Sequence, residues 1–502
     1  MKIFNSEQIR RWDAATIVRE PIASIDLMER AAQAFCTWFT ARFSAQQPVY
    51  IACGLGNNGG DGLAIARLLH QAGYTVNLWL FAPKTGSGSA DYRINLSRLD
   101  GLHISTQAIH SPTDFPTPVP QALIIDALLG SGLDRPLEGL MAELVHWINY
   151  LPNAVIAVDI PTGLFADQQT LGLSIQAQYT FSFERPKLSF FFPDNFHRVG
   201  EFYFETIGLD PRFEAEEDSD NYYVTEAMLY SFFKRREKFA HKGIFGHALL
   251  VMGSHGKMGA AILATKACLR AGAGLVTVHV PSCGYEVMQL AVPEAMVSLD
   301  EDDFIFTRVY DLHKYTTIAL GCGLSTKNKT RNAVCYVLKN LVGPVVLDAD
   351  ALNILGQSPD WMEFIPKGSI LTPHPKEFER MFGRTENGFE RNELQRQKAQ
   401  EWGVYIILKG ANSCIATPEG KCYFNSTGNP GMGTAGSGDV LTGILAGLLA
   451  QDYSPLQACL LGVYLHGLAG DLAAVDKSQE ALMAGDISDY LGKAFLHLQK
   501  RF

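Results

Sequence analysis

An aspartate at the end of a glycine-rich turn, feeding an apolar helical run, can move a proton beside a phosphate. Residues Gly428 to Leu441 read GNPGMGTAGSGDVL and place Asp439 in that position, ahead of the run Val440 to Leu449. Glycines let backbone N–H groups crowd an anion, and a helix N-terminus adds partial positive charge. A carboxylate there can take the proton of a hydroxyl that faces a phosphate, which is the chemistry of phosphoryl transfer to a small alcohol. The same string also serves as a plain helix entry with Asp as N-cap, so the rest of the chain decides.

Four further pieces accompany it. Gly253-Ser254-His255-Gly256 ends a strand-like run, and Met258-Gly259-Ala260-Ala261 opens a helix of small residues. Gly321-Cys322-Gly323 is another strand-end turn, and Thr372-Pro373-His374-Pro375 follows Ser369–Leu371. Lys409-Gly410-Ala411-Asn412-Ser413 puts a lysine where it could face a nucleotide phosphate. Alone, His374 between two prolines reads as a rigid turn and Lys409 as a solvated strand end. With GSGD they make a nucleotide-plus-hydroxyl site. GxxxxGK[ST] is absent, which excludes a P-loop.

The first half carries its own constellation. Residues 54–62 read GLGNNGGDG between a strand ending at Cys53 and a helix opening near Leu63. A dinucleotide fingerprint would want an acid at the end of the next strand, and Leu78 to Lys84 has none. Asn57, Asn58 and Asp61 are richer in oxygen than a pyrophosphate cradle requires, so the turn could hold a cation as well as a phosphate. Asp126 and Asp159 each close a strand and lead into small-residue loops, Leu128–Pro136 and Ile160–Leu164. One site built from three loops is expected.

Such loops need a parallel sheet to position them. Strand-like and helical apolar runs alternate along the chain, which argues for an α/β fold with ligands at strand C-terminal ends. At 502 residues it exceeds one ordinary core. The acidic stretch Asp210–Asp220 has almost no apolar periodicity and reads as the boundary, giving domains 1–217 and 218–502. A net charge of −10 without a Lys/Arg tract argues against a nucleic-acid partner. With no apolar run of eighteen residues and no signal peptide, no membrane partner is expected. Nine cysteines without a CxxC pair suit a reduced, cytoplasmic compartment.

At GNNGGDG, DALLGSGL and DIPTGL the first half, about residues 1–212, resembles the YjeF N-terminal family of NAD(P)H-hydrate epimerases. HKGIFGH, RAGAGLVTV, VLDADALN, LTPHP, LKGANS and the GSGD segment make residues 222–502 similar to the ADP/ATP-dependent NAD(P)H-hydrate dehydratases of the ribokinase-like superfamily. The resemblance implies a Rossmann-like three-layer α/β/α domain followed by a ribokinase-like α/β domain. It implies that Asn57, Asn58, Gly59, Gly60, Asp61 and the loop Gly130, Ser131, Gly132, Leu133, Asp134, Arg135, Pro136 bind the damaged cofactor, with Asp159 as catalytic acid/base. A potassium ion would sit on Asn58, Asp126 and Thr162. In the second half, Ala260 or Ala261, Gly323, His374 and Asp439 would contact the hydrate, and Lys409, Gly410, Ala411, Asn412, Ser413 and Gly438 the nucleotide, with Mg²⁺ assisting. Threonine at 162, Phe165, Lys257-Met258 and Lys376 depart from the usual pattern.

The implied function is repair of NADH or NADPH carrying an added water. One half interconverts the R and S hydrates, and the other dehydrates the S form using ADP or ATP, with Asp439 as the catalytic base. A homo-oligomer is expected by the same resemblance. The rival readings are a ribokinase-like vitamin-precursor kinase with a non-catalytic N-terminal binding module, and an ordinary NAD(P)-dependent oxidoreductase.

Overall fold

A computed structural model describes residues 1–82 and 88–500; Pro83 and Lys84, the end of the segment searched for an acid, lie outside the described residues. The chain forms two compact units, one of Lys2–Ser219 with residues 387–389, the other of Met1, Asp220–Glu386 and Glu390–Phe502.

After a short strand β1 (Lys2–Ile3), the first unit contains β2 (Val49–Cys53), β3 (Val76–Phe81), β4 (Ser105–Ile109), β5 (Leu123–Ala127), β6 (Ala154–Val158), β7 (Tyr179–Phe183) and β8 (Glu201–Glu205). The sheet order is β4-β3-β2-β5-β6-β7-β8, parallel throughout. Side chains alternate across it. Leu123 and Ile125 pack with Phe35 and Leu63 of helices Ser24–Thr40 and Asn57–Gln71, while Ile124 packs with Leu144 and Ile148 of helix Gly139–Tyr150. Helices therefore cover both faces, giving three layers. Strand order reverses between β2 and β5, and a crevice opens at such a switch point.

Edge strands β4 and β8 escaped the sequence reading, because edges bury little and carry weak apolar patterns. The linker reading also needs correction. Asp210 caps a short helix, Pro211–Glu216, and Phe213 is buried, stacked on Trp12 at 5.9 Å and edge-on to Phe4. One capped turn with a single aromatic anchor buries a face without any periodicity.

The second unit contains β9 (Asn221–Tyr223), β10 (His247–Val251), β11 (Leu275–Val280), β12 (Met296–Leu299), β13 (Thr317–Leu320), β14 (Val345–Leu347), β15 (Ile370–Leu371), β16 (Tyr405–Leu408), β17 (Cys414–Ala416) and β18 (Cys422–Phe424). Within the unit the order runs β9-β18-β17-β16-β15-β14-β13-β10-β11-β12, with β17 antiparallel to both neighbours. Its switch point lies between β13 and β10. The helix Ser437–Ala450 crosses Met258–Arg270 closely: a Cβ on Gly443 would fall 2.1 Å from the Ala264 carbonyl oxygen. Helix Pro455–Lys477 is long and apolar enough to cross a membrane, but most of it is buried in this unit's core.

Candidate active sites

At the first switch point a cavity of about 610 Å³ is lined by Asp13, Asn57, Asn58, Asp61, Leu128–Leu133, Asp159 and Lys187, among others. The helix begins at Asn57 rather than near Leu63, so NNGGDG forms its first turn. Glycine is needed there for close approach, since a Cβ on Gly59 would meet the Gly54 carbonyl oxygen at 1.8 Å. Gly60 lies against Met28. Gly130, Ser131, Gly132 and Leu133 line the cavity, whereas Asp134, Arg135 and Pro136 are exposed beyond that lining.

Asp126 is fully buried and accepts from the Thr162 amide at 2.8 Å, the Thr162 hydroxyl at 2.7 Å and the Leu128 amide at 3.2 Å. Burial raises its proton affinity to about 6, and the Thr162 bonds oppose that rise. Asn58 is buried with both amide atoms lacking a protein partner, and it lies against Gly130, whose Cβ position is 3.4 Å from its own. A buried amide left unsatisfied is costly. The Asn58 side chain lines the cavity, while Asp126 and Thr162 are hydrogen-bonded to each other outside that lining; oxygens of these types are ligands for hard cations. Phe165, one of the departures from the family pattern, is buried with its amide held by the Thr170 hydroxyl.

Asp159 follows β6 with φ +67°, a conformation uncommon outside glycine. Its Oδ1 collects the Lys187 ammonium at 2.7 Å and the Phe183 amide at 3.2 Å. Its Oδ2 has no hydrogen-bond partner among the described residues. Lys187, a side chain only 4 % exposed, was not singled out as a site residue in the sequence: an isolated lysine in RPKL carries no spacing signal.

In the second unit Asp439 sits in the first turn of Ser437–Ala450, after Gly436 at φ +93°. Burial raises its proton affinity to about 6, a hydrogen bond with the Cys322 thiol opposes this, and the charge of Asp348 adds to it. Asp348, within the VLDADALN segment, is a neighbour of this group that local spacing does not mark. It is 2 % exposed and accepts from the Lys409 ammonium at 2.8 Å, the Thr442 hydroxyl at 2.7 Å and the Ala349 amide at 2.8 Å. A Cβ on Gly438 would lie 3.2 Å from the Lys409 nitrogen. Lys409, Gly438 and Asp439 are thus neighbours, and Gly410 to Ser413 close a turn through the Ser413 hydroxyl and Gly410. Ala411 and Asn412 fall inside that turn.

His374 caps the helix Pro375–Phe382, its Nδ1 accepting from the Lys376 and Glu377 amides. Only Nε2 is left to meet a ligand, and it stands 3.4 Å from Glu377. Of the two alanines, Ala260 lies beside Gly323 while Ala261 is buried in the core. The Ser254 hydroxyl donates to the Gly323 carbonyl at 2.6 Å, tying two strand-end turns together. Lys257 pairs with Asp350, and Met258 packs under Gly253.

Comparison with known proteins follows the same division. Residues 24–189 match the family described as YjeF-related protein N-terminus, and residues 248–493 match NAD(P)H-hydrate dehydratase. A bifunctional NAD(P)H-hydrate repair enzyme of Moorella thermoacetica is 37% identical over 517 residues, covering 100% of this chain and 98% of that one. Its counterpart in Escherichia coli is 31% identical over 97% of this chain and 92% of its own. The crystal structure of an ADP/ATP-dependent NAD(P)H-hydrate dehydratase from Bacillus subtilis, co-crystallised with ATP/Mg²⁺, superposes with TM-score 0.50 and 33% identity. It covers 55% of this chain and 98% of that chain. A ribokinase-like superfamily protein of Enterococcus faecalis gives TM-score 0.50 and 28% identity. With a half-buried carboxylate near a lysine at a helix N-terminus in one unit, a cavity lined by Asn58, Asp61 and Asp159 in the other and this likeness along its whole length, the chain belongs to the bifunctional NAD(P)H-hydrate repair enzymes, an epimerase joined to a nucleotide-dependent dehydratase.

Proposed function

We propose that the second unit dehydrates the S hydrate at Asp439, using ADP or ATP. The supporting observation is a half-buried carboxylate at a helix N-terminus, with proton affinity near 6, beside Lys409 and Gly438. The hydrate's hydroxyl oxygen attacks the terminal phosphorus, the phosphoanhydride bond breaks, and Asp439 takes the hydroxyl proton. The phosphate ester then leaves with its bonding electrons as a neighbouring ring proton departs, restoring the dihydropyridine. Hydroxide is a poor leaving group and phosphate a good one. Amides of Gly436–Gly438 stabilise the transferring charge, and Lys409–Ser413 holds the nucleotide. Ala260, Gly323 and the free edge of His374 border the hydrate.

Among the described residues no three His, Cys, Asp or Glu side chains form a metal cluster. Mg²⁺ would enter on the nucleotide phosphates, which supply its usual ligands together with water. When bound it would neutralise phosphate charge.

In the first unit the cavity binds NADHX or NADPHX through Asn57–Asp61 and Gly130–Leu133, with Asp159 exchanging protons through its free Oδ2. Asn58, Asp126 and Thr162 would hold K⁺, which when bound would place positive charge near the cofactor's phosphates. A homo-oligomer in the cytoplasm completes the reading; the nine free thiols bear on the compartment alone, and light scattering tests the assembly. The activity test is incubation with mixed hydrate epimers, Mg²⁺, K⁺ and ADP or ATP, following the return of NADH absorbance. Full nucleotide-dependent recovery of both epimers supports the whole assignment. No recovery in either nucleotide sinks it in favour of a precursor kinase.

A further inference from the structure

The helix Ser6–Arg19 carries one acid into the first cavity that none of the recognised motifs contains. Asp13 lines that cavity with Asp159, yet its carboxyl makes no hydrogen bond or ion pair among the described residues. Of its acidic neighbours, Asp159 is engaged by Lys187 at 2.7 Å, Asp91 by the Ser24 hydroxyl at 2.6 Å and Glu184 by the Ile207 amide at 2.8 Å. Asp61, whose proton affinity burial raises well above the usual carboxylate range, makes no hydrogen bond among the described residues. The charges facing Asp13 are Asp159, Lys187, Glu184 and Asp61. Burial first, then the charge of Asp159, push its proton affinity up to about 7, with Lys187 pulling the other way. Burial and the Asp159 charge thus favour a protonated Asp13 carboxyl well above the usual carboxylate range.

The chemistry of epimerisation asks for a second group. Water adds to the ring carbon bonded to nitrogen, because nitrogen's lone pair stabilises the cation there. Inverting that carbon means breaking the C–O bond on one face and remaking it on the other. One carboxylate cannot serve both faces, just as inverting glycosidases need two.

We propose that Asp13 is the second acid/base of the epimerase, serving the ring face opposite to the one served by Asp159. In one direction the Asp13 carboxyl gives its proton to the hydroxyl. The C–O bond breaks, both electrons leave on water, and the ring nitrogen forms an iminium. A water molecule attacks the other face through its oxygen, and Asp159 takes the proton it sheds. The net result is an inverted carbon and a proton moved from Asp13 to Asp159; the reverse reaction returns it. No oxidant, metal or further reactant enters the balance. The inference rests on this cavity being the epimerase site.

The test uses the full chain. Interconversion of purified R and S hydrates is followed by chromatography, above the spontaneous rate, for wild type, Asp13→Asn, Asp13→Glu and Asp159→Asn. Asp13→Asn is expected to lower kcat about 100-fold or more with KM little changed. It should also lose the pH limb near 7 seen in wild type, while Asp13→Glu recovers part of the rate with that limb displaced. Dehydration of the S hydrate should stay at the wild-type rate in both Asp13 variants. Wild-type kcat in Asp13→Asn overturns the proposal, as does a loss confined to KM with an unchanged pH profile. If Asp159→Asn also epimerises normally, the site assignment itself fails, which is a distinct result. Should Asp13→Asn prove unfolded by melting, the displaced limb in Asp13→Glu decides alone.

Discussion

The ammonium of Lys409 lies 2.8 Å from Oδ1 of Asp348, and this ion pair stands directly beside Gly438 at the start of the Asp439 helix. Lys409 therefore has a structural partner as well as a proposed phosphate. Removing one member of a buried pair strands the other, at a cost of about 3–5 kcal/mol. With Lys409 22 % exposed the lower end applies. Lys409→Met is expected to lower the stability of the second unit by about 3 kcal/mol in urea denaturation. A lysine serving the nucleotide alone would raise its KM and leave the denaturation midpoint untouched.

Asp439 needs its carboxylate form to accept a proton. Because burial lifts its affinity to about 6, the base is lost as pH falls through 6, and dehydratase kcat should drop there. Asp439→Asn should reduce kcat by about 10²–10⁴ at every pH. The sign for stability is opposite. A raised carboxyl affinity means the native state binds more protons than the unfolded chain between the ordinary range and 6, so the charged group disfavours folding at neutral pH. Asp439→Asn should melt no lower than wild type at pH 7, and an inactive variant that melts much lower would undo this account.

Asn58, with its two unpartnered amide atoms, should gain a partner when potassium binds. Binding at 100 times Kd stabilises by about 2.7 kcal/mol. For a unit of this size that is a rise of about 5–10 °C in the first unit's melting temperature. Sodium should give less, and Asp126→Asn should abolish the shift. An equal rise in that variant would locate the cation elsewhere.

His374 is a cap before it is anything else. His374→Ala should cost about 1 kcal/mol through the lost cap. His374→Asp restores a capping oxygen without a ring, so it should recover that stability. If the ring also borders the hydrate, KM for the S hydrate stays raised in His374→Asp; a normal KM would make the residue structural only.

Much of both sites could be read in the chain because short-range chemistry wrote it there. NNGGDG, DALLGSGL, DIPTGL and GSGD each mix glycines with oxygen-bearing residues, and backbone close approach dictates those types locally. Asp439 stands at its helix N-terminus as its glycine turn indicates, and Asn58, Asp61 and Asp159 meet in one cavity. The three-layer sheet follows from alternating apolar runs, since the central strands β2, β5 and β6 are buried on both faces.

What the chain alone could not disclose depends on contacts between distant residues. Asp13 comes from a helix 146 positions away from Asp159, and nothing about an aspartate in RRWDAA marks it as a cavity group. Lys187 orients Asp159 across 28 positions, and Asp348 meets Lys409 across 61 and Thr442 across 94. Phe213 reaches its aromatic partners only because the chain returns to its own beginning. The sequence determined which backbone turns could hold an anion or a cation, because steric freedom and hydrogen-bonding types belong to neighbouring residues. Only the tertiary structure decided which acids stay protonated, which are paired and which stand free, because desolvation and Coulomb energy depend on what lies across the fold.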